Sequence, residues 1–212
     1  MKDASIDGLI DGLADDLEPV RPRRITRASL WVGAGWLAAT ALLLWFFGMR
    51  HDLAAMPVLS MLSFWLIAAV AIAAIWSALR MGLPGVGRDY GGWRWTALAA
   101  LALPLSALFV GLGGERSAIE AARAGVYPCF PMALACGLGV GAALFIWLRA
   151  GAPTSPALAG WVIGLGSGAS GATIVALHCP LDDVIHIALW HGGAVLLAAV
   201  AGRLALPPLL RW

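Results

Sequence analysis

Charge is what this chain lacks most. Of its 212 residues only 12% are Asp, Glu, Lys or Arg, whereas 61% are hydrophobic and the mean hydropathy is +0.85. Soluble domains carry about 25% charged residues and roughly 45–50% apolar ones. A soluble globule of this size would therefore expose apolar surface it could not hide. Three cysteines are too few for a disulfide scaffold, and the apolar excess excludes a disordered chain. A net charge of +2 leaves no basic footprint, so no direct contact with nucleic acid is expected. Asparagine is absent altogether. What the chain has in quantity is long uncharged apolar runs, and these make it a polytopic membrane protein of the all-α class.

A helix needs about 20 apolar residues to cross the hydrocarbon core. Six windows meet that need, at about 28–47, 56–79, 95–113, 129–148, 156–177 and 184–202. The last is the weakest, because His186 and His191 interrupt it. Pro57, Pro131 and Pro156 sit near span starts, where a missing N–H costs little. Pro104 falls mid-span and should kink the third helix. An even span count puts both termini on one side. That side carries Lys2, Arg21, Arg23, Arg24, Arg27, Arg80, Arg88, Arg94, Arg149, Arg203 and Arg211, eleven cations against Arg50, Arg116 and Arg123, three, on the other. The asymmetry predicts cytoplasmic termini. No cleavable signal peptide is visible, so the first span is read as an uncleaved anchor. Trp45, Trp93, Trp95, Trp147 and Trp212 lie near the expected membrane faces, where lipid headgroups favour amphipathic rings.

Two segments stand out against this background. Residues 1–27 form a leader in two blocks. In the first, a helix expected over 4–18, Ile6, Leu9, Ile10, Leu13 and Leu17 recur at helical spacing as one apolar stripe. Asp3, Asp7, Asp11 and Asp15 form a ridge beside it, joined by Asp16 and Glu18. Pro19 and Pro22 end the helix, and Arg21, Arg23, Arg24 and Arg27 form a basic anchor over 21–27 at the lipid headgroups. A helix lying on a membrane normally carries Lys and Arg on its polar face. An acidic one with Gly8 and Gly12 in it suits folding against a groove on a basic protein partner. The expected partner-binding residues are Ile6, Leu9, Ile10, Leu13, Asp16 and Leu17. The rest, 28–212, is a six-helix transmembrane unit.

The second segment lies at the outer face. Cys129 opens the fourth span and Cys179 lies in the last outer loop, so the two match in depth and neither is expected to fill a deep core position. Cys136 is about two turns, ~10 Å, further along the helix, too far from Cys129 for a bridge. His178, Cys179, Asp182 and His186 together offer a ligand set for a soft or borderline metal, although their spacing matches no strong zinc signature. No other cofactor is expected. His191 lies deeper in the last span, where a polar residue is a functional candidate by default. Gly160, Gly164 and Gly168 form a small-residue face on the fifth span, suited to close helix packing and compatible with a homo-oligomer.

Gly168-Ala169-Ser170-Gly171 also spells the Gly-x-Ser-Gly pattern of rhomboid intramembrane serine proteases, with Ser170 as nucleophile and His191 as base. Against this alternative, rhomboids carry the serine on the fourth span, and this chain has no Asn to stabilise an oxyanion. No enzymatic activity is expected.

Taken together, the leader Leu9-Ile10-x-x-Leu13-Ala14-x-Asp16-Leu17-x-Pro19-Val20, six spans and two outer-face cysteines, one in Cys179-Pro180, resemble the NrsF-type membrane anti-sigma factors of proteobacteria. The resemblance covers essentially the whole chain. It implies an extracytoplasmic-function sigma factor held at the bacterial inner membrane by the N-terminal segment. It also implies release under heavy-metal or oxidative stress sensed by Cys129 and Cys179, with no role for Cys136.

Overall fold

Small side chains decide which helix lies at the centre of the bundle. The computed structural model describes residues 6–15, 23–84, 94, 98, 101, 102 and 128–211, without the side chains of Asp7 and Leu9. Its helices are α1 (Ile6–Asp15), α2 (Ile25–Phe47), α3 (Val58–Met81), α4 (Cys129–Arg149), α5 (Pro156–Ala176) and α6 (Val184–Ala205), with a last short turn over Pro207–Leu210. The described residues contain no strand, and α2 to α6 are five helices long and apolar enough to cross a membrane. The protein is thus an all-helical membrane protein. The expected span at 95–113, with Pro104, lies outside the described residues except for Leu98, Leu101 and Ala102, which are helical. Asp16 and Leu17 of the leader also lie outside them.

All five spans are apolar round most of their circumference, so hydropathy does not rank them. Side-chain size does. The best apolar window of α5 is 83% buried, against 11–50% for the other four. A Cβ on Gly160 would run into the Gly202 carbonyl, and one on Gly164 into that of Ala198. Two turns beyond Gly164, a Cβ on Gly171 would meet the Ala133 carbonyl of α4. Backbones this close need glycine on the facing surfaces. The Gly160–Gly164–Gly168 face is therefore occupied by α6 within one chain, where the sequence alone left it open to a second copy. Large apolar side chains such as Leu42, Leu62, Ile72, Leu138 and Ile146 point outward, as a lipid solvent requires.

The helices alternate in direction, which gives the bundle two chemically different ends. The α2–α3 loop, the start of α4 and the α5–α6 loop meet at one end. That end is fastened by Arg50, whose backbone N–H donates to the Leu177 carbonyl (3.0 Å) after Gly48, at φ 76°, has turned the chain out of α2. At the other end lie the start of α2 and the ends of α3 and α4. Among the described residues placed by these helix ends, Arg23, Arg24, Arg27, Arg80, Arg149, Arg203 and Arg211, seven, lie there, and Arg50 alone lies at the cysteine end.

Candidate functional site

The cysteine end is assembled from three separate elements. Cys129 is the first residue of α4, and Cys179 follows α5, its N–H bonded to the Val175 carbonyl (2.9 Å). Both are buried free thiols, 1% and 2% exposed, so the expectation that neither fills a deep position gives way to a fully enclosed pair. Their sulfurs lie 3.4 Å apart. Cys136, half-buried, stands apart from them on α4.

Two histidines complete the group, and the reason is a local departure from α geometry. Asp183 caps α6, accepting from the Ile185 N–H (2.8 Å) and the His186 N–H (3.2 Å). After one α turn, Ile187–Gly192 adopts a π-helix before Gly193–Ala205 resumes the α form. In an α-helix residues five apart point about 140° away from each other. The wider π turn brings His186 and His191 onto one face, with ring centroids 5.6 Å apart. His186 Nε2 lies 3.3 Å from Cys179 Sγ. His191 Nδ1 lies 3.3 Å from the Ala172 carbonyl on α5, an atom that can only accept, so Nδ1 carries the proton and Nε2 presents a lone pair. Among the described residues neither His191 Nε2 nor His186 Nδ1 has a hydrogen-bond partner, although both are buried. One ligand atom from each of Cys129, Cys179, His186 and His191 lies within 4.8 Å of the others.

The sequence pattern groups Cys179 and His186 with two residues that the fold directs elsewhere. His178 donates from Nδ1 to the Gly48 carbonyl (2.9 Å) and packs its ring on Phe47. Asp182 belongs to Arg50. The Arg50 guanidinium, buried, uses all five N–H groups: on Asp52 (2.7 and 2.8 Å), on Asp182 (3.0 and 2.7 Å) and on the Cys179 carbonyl (2.9 Å). Hydrogen bonds donated to Asp52, then to Asp182, hold Arg50 above its ordinary value, and Arg50 holds Asp52 below the usual carboxylate range. Ser60 donates to the Asp182 carbonyl (2.9 Å), fixing the same loop to α3. The result is a lid of charge-assisted bonds over the thiols. Its centre, Arg50, is legible in the sequence only as one of the three cations expected on the outer side.

The thiols are unequal. The Cys129 S–H, followed by the His186 ring, holds Cys179 below the usual thiol range against the opposing effect of burial. Cys129 stands as the donor to Cys179 in the S–H···S contact. A small cleft lined by Arg50, Met56, Asp182 and His191 borders Cys179.

At the opposite end Arg23, the last residue but one before α2, is clamped to the bundle. It donates to the Gly82 carbonyl (3.0 Å) and the Trp147 carbonyl (2.6 Å), with its guanidinium carbon 3.9 Å from the centre of the Trp147 ring. Trp147 in turn donates from its indole to the Leu79 carbonyl (3.0 Å). One helix, α4, therefore starts at Cys129 and, about 30 Å on, holds the residue that joins the leader to the membrane unit. In the leader itself α1 presents Ile6, Ile10 and Leu13, all more than half exposed.

The rhomboid-like pair is not assembled. Ser170 lines a cleft between α2 and α3 beside Val32, Trp36 and Ile75, and its buried hydroxyl has no partner among the described residues. His191 faces the cysteines instead.

The family model described as "Negative regulator of sigma F" matches residues 13–212. The "Anti-sigma-F factor NrsF" of Caulobacter vibrioides is 34% identical over 218 aligned positions, covering 97% of this chain and 99% of the relative. The "Probable anti-sigma-F factor NrsF" of Azospira oryzae is 30% identical over 202 positions, 90% of this chain and 91% of the relative. No solved structure matches. With a match across nearly its whole length, the chain belongs to the NrsF family of negative regulators of sigma F, a class of regulators and not of enzymes.

Proposed function

We propose that the protein is an anti-sigma factor of the bacterial inner membrane: its leader, residues 1–27, holds an extracytoplasmic-function sigma factor at the cytoplasmic face, and a change at Cys129 and Cys179 on the outer face releases it. The observation that carries this reading is the near full-length match to relatives named anti-sigma-F factors. The exposed Ile6, Ile10 and Leu13 of α1 support a leader that folds onto a partner, since nothing else in the described chain covers that stripe. Sigma capture by the full chain, compared with a chain lacking residues 1–20, tests it. The full chain should retain the sigma factor in the membrane fraction and the shortened one should not; equal retention by both would end the reading.

The orientation has its own support. Among the described residues placed by the helix ends, seven arginines at one end of the bundle against Arg50 at the other, itself neutralised by Asp52 and Asp182, favour a cytoplasmic location for the arginine end. Gly82 lies at that end and Pro128 at the cysteine end, which favours an even number of crossings in all. Reporter fusions after Ser5 and after Trp212 should be active only as cytoplasmic markers, and a fusion in the 178–183 loop only as a periplasmic one. A terminus with periplasmic activity would reverse the assignment.

Signal transfer then runs along α4. An oxidant that removes two electrons from the thiol pair joins the sulfurs and releases two protons, and a thiophilic cation draws the same two sulfurs onto itself. Either pulls the start of α4 toward the α5–α6 loop. The far end of α4 holds Arg23, so the leader's attachment responds to the state of the thiols. Two packings of one helix, biased from one end and read at the other, are all the mechanism needs.

A further inference from the structure

We infer that Cys129, Cys179, His186 and His191 form a four-ligand site for one divalent, thiophilic d10 cation, zinc or cadmium in class, inside the cysteine end of the bundle. The inference deepens the proposed sensing role and rests on that reading for its purpose, though not for its chemistry.

Four observations point the same way. The donor set is two sulfurs and two imidazoles, one atom from each within 4.8 Å of the rest. A tetrahedron with metal–ligand bonds of about 2.0–2.3 Å has edges of about 3.3–3.8 Å. The 3.4 Å between the sulfurs already falls in that range, and the widest separation must close by only about 1 Å. Second, His191 Nε2 is buried without a partner, while Nδ1 is tied to the Ala172 carbonyl. That is how a ligating histidine is oriented: one nitrogen donates to a carbonyl and the other offers its lone pair. A histidine that merely packs would leave that nitrogen's desolvation uncompensated, whereas a ligand role satisfies it. Third, two thiolates and one divalent cation sum to zero, so the loaded site is neutral and can stay enclosed without an uncompensated charge. The lid charges stay outside this sum, because Arg50 is matched by Asp52 and Asp182. Fourth, the π segment at Ile187–Gly192 gives up regular helix geometry, and what it places there is His191.

Loading is a proton exchange. The cation displaces the Cys129 thiol proton and any proton held by Cys179, the two histidines bind as neutral rings, and no electron moves. Oxidation of the same sulfurs to a disulfide removes two of the four ligands. Metal and oxidant therefore compete for one site instead of acting at two.

The test uses the full-length chain, reduced and metal-free in lipid nanodiscs, titrated with zinc(II) and with cadmium(II). One ion should bind per chain, and X-ray absorption on the loaded protein should find two sulfur and two nitrogen neighbours. His186→Gln and His191→Gln should each weaken binding at least about tenfold against a competing chelator. His178→Ala and Cys136→Ser should leave it unchanged. No stoichiometric binding, a shell of sulfur without imidazole, or unaltered affinity in both histidine variants would overturn the site. Should the histidine variants fail to fold, the X-ray shell of the native chain decides alone. Sigma capture by the metal-free chain is measured alongside. Its absence would defeat the proposed function and leave the site standing, whereas capture without a Cys2His2 shell would do the reverse.

Discussion

Replacing Leu13 by Ala should release the sigma factor from the membrane where replacing Asp11 by Ala barely loosens it. Leu13 is 61% exposed on α1, on the same face as Ile6 and Ile10, and burying such a side chain against a partner is worth about 1.5–3 kcal/mol. Each 1.4 kcal/mol is a factor of ten in affinity, so the single truncation should weaken binding roughly ten- to a hundredfold. An exposed acid–base pair is worth about 0–1 kcal/mol and is screened by salt. The loss caused by Asp11→Ala should thus be small and fade as ionic strength rises. Affinity measured with both variants at two salt concentrations decides the matter. If Asp11→Ala proves the worse substitution at physiological salt, the ridge and not the stripe is the anchor.

The second large effect is expected at the thiols. Cys179→Ser and Cys129→Ser should each abolish the response to a thiophilic cation or an oxidant, because neither the disulfide nor the four-ligand set can form with one sulfur missing. Both positions are buried beneath the Arg50 lid, so the variants need a check of folding, and serine is close enough in size to keep the packing. Cys136→Ser is the control. Its sulfur is half-buried and stands apart from the other two, so the response should survive. A Cys136→Ser chain that is unresponsive while Cys129→Ser and Cys179→Ser respond normally would place the sensor elsewhere on α4.

Much of this architecture is legible in the amino-acid sequence. Hydropathy locates α2 to α6 to within a few residues, because a span of apolar side chains has no other stable home. The pairing of Cys129 with Cys179 follows from depth alone. What hydropathy does not rank is the order of burial, since α5 is apolar all round like its neighbours, and only its Gly160–Gly164–Gly168 spacing hints that backbones meet there. Nor does the sequence join His186 to His191. Five residues apart on an α-helix they diverge, and a π turn has no dependable residue signature, so His191 reads as a separate and deeper residue. His178 and Asp182 enter the metal set only by nearness in sequence. The fold assigns them to Gly48 and to Arg50, a partner 132 positions away for Asp182. Contacts of that reach are set by the bundle, and a local reading has no access to them.

The central claim is that one thiol state retains the sigma factor and another lets it go. It is tested most directly by measuring how much sigma factor stays bound to membranes carrying the full chain, before and after exposure to cadmium(II), with the Cys179→Ser chain beside it. The account predicts that the native chain sheds its partner on exposure while the bound fraction of the variant does not change. Equal loss from both chains, or no loss from the native one, would contradict it.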